Sequence, residues 1–257
     1  MTPLGASTLV LSAAVAVAAG LIGAFAVMRR MTLAADAISH VALPGIGLAL
    51  ILHVEPLLGA IAMLLLGASS IWAIERRTHL ATETVTGVVF AGALAVGSML
   101  TSGEELIDAL FGSPTRLGAW EAGLGTATAL GISAFVVRRR SRLVLGLVSA
   151  EVAHTSGVRL ARLDLEYLLA FAITVALGLR FLGALLMGSL IIIPAAAARR
   201  LTRDLRSMLS VSALLAVGTT VIGIVIAPRL GQKSGPVIVA VAALVFLASV
   251  LLRRRGS

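Results

Sequence analysis

Residues 8–30 read TLVLSAAVAVAAGLIGAFAVMRR. From Thr8 to Val27 the chain carries no charge, and then Arg29 and Arg30 end the run. About 20 apolar residues in an α-helix span the ~30 Å hydrocarbon core of a bilayer. A cleavable signal peptide carries its basic residues ahead of the apolar run, whereas here they follow it. The segment is expected to be a retained first span with its start outside the cell.

Working outward, the same pattern recurs to the end of the chain. Candidate spans fall at about 8–27, 35–52, 57–74, 84–100, 119–137, 165–179, 181–198, 208–227 and 236–252. Only Arg180 separates the sixth from the seventh, so one long broken helix is an alternative there, and eight or ten spans are the alternatives to nine. The composition agrees, with 59% hydrophobic and 13% charged residues. Soluble proteins carry roughly 25% charged residues. In lipid every backbone polar group needs an internal partner, which leaves helices or closed barrels, and these blocks lack the two-residue alternation of barrel strands. The fold class expected is an all-α polytopic membrane bundle of about nine spans, a single transmembrane domain over 1–257.

The net charge of +9 does not point to nucleic acid, because the basic residues sit in short clusters between apolar blocks. With the start outside, 17 of the 21 basic residues fall on the cytoplasmic side, and only Arg116, Arg180, Arg229 and Lys233 fall outside. This asymmetry follows the positive-inside rule and puts the carboxyl end inside. Cysteine is absent, which removes disulfides and thiolate metal sites. Gly is abundant, at 26 residues, and small residues let membrane helices pack closely. Two connections are long. The outer one, 101–118, holds Glu104, Glu105 and Asp108 and is expected to form a short surface helix. The inner one, 138–164, is where a soluble partner could dock.

Few residues could carry chemistry. Asp36 and His40 are four apart, which places them on one helix face, and a carboxylate with an imidazole suits a borderline divalent cation. The structural alternative is that Asp36 caps the second span and His40 bonds a neighbouring carbonyl. Pro44, with Gly45 beside it, is expected to kink or break the second span, and Pro194 the seventh. Weaker candidates are the loop pair His53 and Glu55, the pair His79 and Glu83 at the inner edge of the fourth span, and the soft ligands Met99 and Met187. The inner stretch SAEVAHTSGV, residues 149–158, reads as a short helix stopped by Gly157. No nucleotide-hydrolysing loop is present: the sole lysine, Lys233, follows Gln232, where a phosphate-binding loop requires Gly. Motifs for zinc proteolysis or serine hydrolysis are also missing, so the chain is not expected to be an enzyme.

Several segments together resemble the permeases of metal-type ABC importers. They are AVMRRMTLAADAISHVALPGIGLAL at 26–50, HLATETVTGVVFAGALAVG at 79–97, LFGSPTRLG at 110–118, LRFLGALLMGSLIIIPAAAARRLTRDLRSML at 179–209 and GQKSGPVIVAVAALVFLAS at 231–249. Their order is the family's, and they extend over about residues 13 to 250. Ala35 stands where the family usually has Gly, Glu83 where Asp is common, and Ala150 where the coupling segment has Pro.

The resemblance implies a type II importer permease in the cytoplasmic membrane of a prokaryote. It would pair with a second copy of itself, with cytoplasmic ATP-binding subunits and with an extracytoplasmic metal-binding protein. The cargo would be Zn, Mn or Fe(II), with no permanently bound cofactor. Asp36 and His40 would lie on the metal path. A cytoplasmic coupling segment at about 143–164, with Ser149, Glu151, Val152, His154, Gly157 and Val158, would meet the ATPase. The rival readings are a siderophore or cobalamin permease of similar architecture, a secondary transporter acting alone, and a membrane scaffold without substrate.

Overall fold

A computed structural model describes residues 6–78, 80–100 and 118–254, and among these every regular element is helical. In chain order they are α1 (Ala6–Met28), α2 (Thr32–His40), α3 (Ala42–Ile51), α4 (Pro56–Thr78) and α5 (Thr82–Leu100). These are followed by α6 (Ala119–Val148), the short α7 (Ala150–Thr155), α8 (Leu160–Leu182), α9 (Ala184–Leu201) and α10 (Leu205–Ile226). A 3₁₀ turn (Ala227–Leu230) then leads to α11 (Ser234–Arg254). The surface helix expected within 101–117 lies outside the described residues, as does His79.

Seven stretches among the described residues are long and apolar enough to cross a membrane: α1, α2 with α3, α4, α5, α6, α10 with its 3₁₀ turn, and α11. They differ in how deeply they are enclosed. Of the α1 window 83% is buried, and of the α2–α3 window 72%, against 22–39% for the others. α1 sits in the middle as a helix without a charged residue from Thr8 to Val27, and in the similarly enclosed α2–α3 pair Asp36 and His40 of α2 are the ionisable exceptions. α1 packs on α6, α8, α9 and α10, while α2 lies between α9 and α5. The outer helices turn leucines and valines such as Leu66, Val88 and Leu130 outward, as a lipid-facing wall requires.

Three features of these helices have physical causes, and the second and third differ from the sequence expectation. The second span is two helices, broken at Val41. Pro44 has no N–H to offer the carbonyl of His40, four residues back, and its ring crowds that carbonyl. The break after the sixth span falls at Gly183, not Arg180. Gly183 has φ 74°, a conformation open to Gly and strained for other residues. The fifth span does not end at 137 but runs on as α6 to Val148. At 1.5 Å per residue those 30 residues reach about 45 Å, well beyond a hydrocarbon core. Much of the expected inner loop is therefore helix. By contrast α9 continues through Pro194 without interruption, with the proline buried.

Small residues set the interhelical distances. The Ser212 hydroxyl of α10 donates to the Gly20 carbonyl of α1 at 2.7 Å, a contact open only because a Cβ at Gly20 would lie 2.7 Å from the Ser212 carbonyl oxygen. Buried hydroxyls within the helices turn back on their own backbone. Thr86, Ser133 and Thr174 each donate to the carbonyl four residues earlier, which satisfies them where water is absent. At the end of α1, Arg29 pairs with Asp164 at 2.8 Å and lies over the Tyr167 ring at 4.6 Å. The fully buried Tyr167 donates its hydroxyl to the Ile22 carbonyl at 3.0 Å. Arg199 donates to the Val27 carbonyl at 3.2 Å. One knot thus ties the ends of α1, α8 and α9 together.

Candidate functional site

The Asp36 and His40 pair sits on α2, a helix of nine residues. The N-cap of α2 is Met31, so Asp36 lies a full turn inside and does not cap it. Its side chain is half-buried, and it forms no ion pair among the described residues. Asp36 faces Gly188 of α9: a Cβ there would lie 2.6 Å from its Oδ1 and 2.7 Å from its Cα. The missing side chain at Gly188 gives the carboxylate its room. The Ser39 hydroxyl donates to the Asp36 carbonyl at 2.6 Å, a local bond that steadies the last turn.

His40 is the final residue of α2 and is 9% exposed. Its ring lies 5.6 Å from that of Phe90 on α5, tilted by 53°. Its Nδ1 is buried without a hydrogen-bond partner among the described residues. The imidazole therefore does not bond a neighbouring carbonyl through Nδ1. A buried polar atom left unpaired costs free energy, and such an atom calls for an explanation such as an unseen ion.

Past the break, Pro44 and Gly45 are buried in the first turns of α3. Gly45 acts by close packing: a Cβ there would lie 2.6 Å from the Met63 Cβ, and one on the facing Gly59 of α4 would lie 2.7 Å from the Ala49 Cβ. On the other side Gly97 of α5 admits Leu43 and Pro44, with Leu43 Cβ at 3.0 Å from a Cβ built on it. α3 is thereby clamped between α4 and α5.

The weaker candidates do not join this site. His53 is exposed, with φ 54°, and ends α3 in a left-handed turn in which the Val54 amide reaches back to the Ala49 carbonyl at 2.9 Å. Glu55 and Glu83 are exposed, Met99 is 84% exposed, and Met187 is fully buried against Gly178. Among the described residues no group of three or more His, Asp or Glu could hold an ion.

The coupling segment is α7 with its flanks. Ser149 accepts the Val152 amide on its Oγ at 3.2 Å, a helix N-cap. Ala153 is fully buried and anchors the helix, while Glu151 and Val152 project outward. Gly157, at φ 73°, allows the Val158 amide to reach the Ala153 carbonyl at 2.9 Å, the left-handed stop that a Gly after a helix provides. The His154 side chain lies outside what is described.

Sequence reading did not single out Phe90 or Gly188, nor the pairing of Arg29 with Asp164. The Gly188 signal was available as a small residue within an otherwise bulky apolar run. What identifies its partner is packing across the bundle, which local spacing does not encode.

Comparison with known proteins places this geometry in context. The chain is 28% identical over 241 residues to the high-affinity zinc uptake system membrane protein ZnuB of Haemophilus influenzae, covering 91% of this chain and 92% of that protein. It is 30% identical over 251 residues to the manganese import system permease protein ScaB of Streptococcus gordonii, covering 95% and 89%. The fold matches that of PsaBC from Streptococcus pneumoniae, solved in complex with Fab, with a TM-score of 0.81, 26% identity and coverage of 95% and 89%. The model of the ABC 3 transport family matches residues 2–253, and the chain belongs to that family.

Proposed function

We propose that this chain is the membrane permease subunit of an ATP-driven importer of divalent metal, carrying Zn or Mn, with Fe(II) the next candidate. The relatives named for zinc and manganese uptake support the cargo class. The observation that carries the reading is the α2 pair: a half-buried carboxylate and, one turn on, an imidazole whose buried Nδ1 has no partner among the described residues. Ionisable groups inside a membrane are costly and mark pathways or partners. Two ligands from one chain hold an ion weakly, which suits a route that the ion must also leave.

In this reading the protein is a single permease domain of nine spans in the cytoplasmic membrane of a prokaryote. α8 and α9 serve as the sixth and seventh spans, with the amino end outside and the carboxyl end inside. A second copy completes the membrane unit. An extracytoplasmic binding protein delivers the ion, and two cytoplasmic ATPase subunits dock on α7 through Glu151 and Val152. Chemistry on ATP belongs to those subunits. Pro44 holds the break that makes α2 a separate unit.

Metal accumulation in cells carrying Asp36→Ala or His40→Ala tests the reading. Uptake is expected to be lost while the complex still assembles. Undiminished accumulation in both variants removes the pair from the mechanism.

A further inference from the structure

A second polar site lies at the opposite end of the coupling segment from Ser149. Arg139 and Arg142 of α6, Arg159 at the N-cap of α8 and Arg162 in its first turn line a cleft of about 250 Å³, together with the apolar Val158 and Leu163. Among the described residues the one carboxylate on its walls is Glu166. It is already engaged, by Arg162 at 3.0 Å and Arg139 at 3.8 Å. Arg142 and Arg159 form no ion pair among the described residues, so the cleft keeps a surplus of three positive charges. The helix start adds to this. The N-cap of α8 is Arg159, with no side-chain cap and no acid in the first turn, and the positive end of a helix dipole favours anions.

The depth of the cleft indicates the ligand. On α6 the apolar stretch ends at Val137 and the arginines begin at Arg138. On α8 the charged turn ends at Glu166, and the next charge is Arg180. The cleft therefore sits where hydrocarbon gives way to headgroups. Its volume is below the ~300–1,000 Å³ of pockets for drug-sized ligands, which suits a headgroup and not a whole lipid. We infer that this cleft binds the phosphodiester headgroup of an anionic lipid, with Arg142 and Arg159 as the phosphate ligands and Val158 and Leu163 against the glycerol. The guanidinium fork matches phosphate geometry, and basic pockets between membrane helices on the cytoplasmic side take such headgroups.

The inference borrows from the proposed function only that this end of the bundle lies at the membrane surface, and it needs neither metal nor ATP. The full chain, purified in detergent, is titrated with dioleoylphosphatidylglycerol and with dioleoylphosphatidylcholine, and bound lipid is counted by native mass spectrometry. The phosphatidylglycerol is expected to bind more tightly. The Arg142→Gln/Arg159→Gln variant should bind it about thirtyfold more weakly, each arginine near an anionic surface contributing a factor of about five, with its phosphatidylcholine binding and melting temperature unchanged. Arg142→Lys/Arg159→Lys, which keeps the charge but not the fork, should recover only part of the loss. Arg203→Gln/Arg206→Gln, which removes exposed charge elsewhere, should have no effect. Equal phosphatidylglycerol binding by wild type and the first variant overturns the assignment, as does equal loss in both glutamine pairs. Displacement of the lipid by millimolar inorganic phosphate moves the site to free phosphate and overturns the lipid reading. So does loss of ATPase co-purification in the first variant with lipid binding intact. Because uptake is not the readout, failure here leaves the metal reading standing, and failure of uptake leaves this one standing.

Discussion

Gly188→Ala tests whether the seat of the Asp36 carboxylate is built by packing. The added Cβ comes closer than 3.0 Å to two atoms, Asp36 Oδ1 at 2.6 Å and Asp36 Cα at 2.7 Å. The first can rotate away, since it ends a flexible side chain. The second is backbone and moves only if α2 moves. Relieving it to an ordinary contact of 3.4 Å requires α2 to retreat from α9 by about 0.7 Å. Overpacking of this kind costs about 1–3 kcal/mol, and each kcal/mol lowers the melting temperature of a chain this size by roughly 2–4 °C. Gly131→Ala is the matched control, because nothing lies within 4 Å of a Cβ there. Replacing a helical Gly by Ala in open space is neutral or stabilises by up to ~1 kcal/mol. Thermal unfolding in detergent and metal uptake in cells are the two assays. G188A should melt several degrees lower and take up metal poorly even at equal chain abundance, while G131A should match wild type in both. Wild-type melting and uptake in G188A would refute the packing argument.

Tyr167→Phe removes the hydroxyl bonded to the Ile22 carbonyl but keeps the ring under Arg29, so it should destabilise by about 0.5–1.5 kcal/mol, read by thermal unfolding. Asp164→Asn removes one partner of Arg29. Asp164 is 42% exposed and Arg29 only 13%, so solvent screening trims the loss to about 1 kcal/mol, again read by unfolding. Asp204 caps α10 by accepting the Ser207 amide at 2.9 Å, and that hydrogen bond holds its carboxyl below the usual carboxylate range. Its contribution is then present above the unfolded-state pKa of about 3.9 and is lost as pH falls through the lower folded value. Asp204→Ala should therefore melt below wild type at neutral pH and converge with it in strong acid, while Asp204→Asn keeps a cap and loses that pH dependence. Ser149→Ala removes the cap of α7, worth about 0.5–2 kcal/mol to the helix. It should slow uptake without lowering chain abundance, measured with metal accumulation and immunoblotting side by side.

What was legible in the sequence was whatever depends on neighbours along the chain. The apolar lengths between charge clusters located the helices, Pro44 announced the division of the second span, and Gly157 announced the end of α7. The miss at Gly183 has a plain cause. Arg180 is the conspicuous polar residue, yet a charge does not end a helix, whereas a residue at φ 74° does. The miss at α6 is similar. Charge marks where the membrane ends, and the arginines of 138–142 continue a helix readily because they are good helix formers. What was illegible depends on the bundle. Arg29 and Asp164 are 135 residues apart, and Gly188 meets Asp36 only because α9 happens to be the neighbour of α2.

The shortness of α2 connects these observations. A continuous second span would tie Asp36 and His40 into one rod with α3, which is itself clamped between α4 and α5 through Gly45, Gly59 and Gly97. Breaking the rod at Val41 gives the pair its own two-turn helix, set between α9 and α5. α9 in turn ends at the Arg199 contact with the Val27 carbonyl, in the same knot that joins α1 to the start of α8 through Arg29 and Asp164. α8 begins directly after α7, the projecting segment. A continuous series of packed and hydrogen-bonded contacts therefore leads from α7 through α8, α1 and α9 to the carboxylate on α2. Chains of packed side chains and hydrogen bonds that have two discrete arrangements can carry coupling between distant sites. If that series carries it, Asp164→Asn should weaken uptake more than Tyr167→Phe at equal loss of stability. Asp164 stands at the junction of α8 with α1, whereas the Tyr167 hydroxyl only reinforces it. Uptake that follows melting temperature alone in both variants would show the knot to be purely structural.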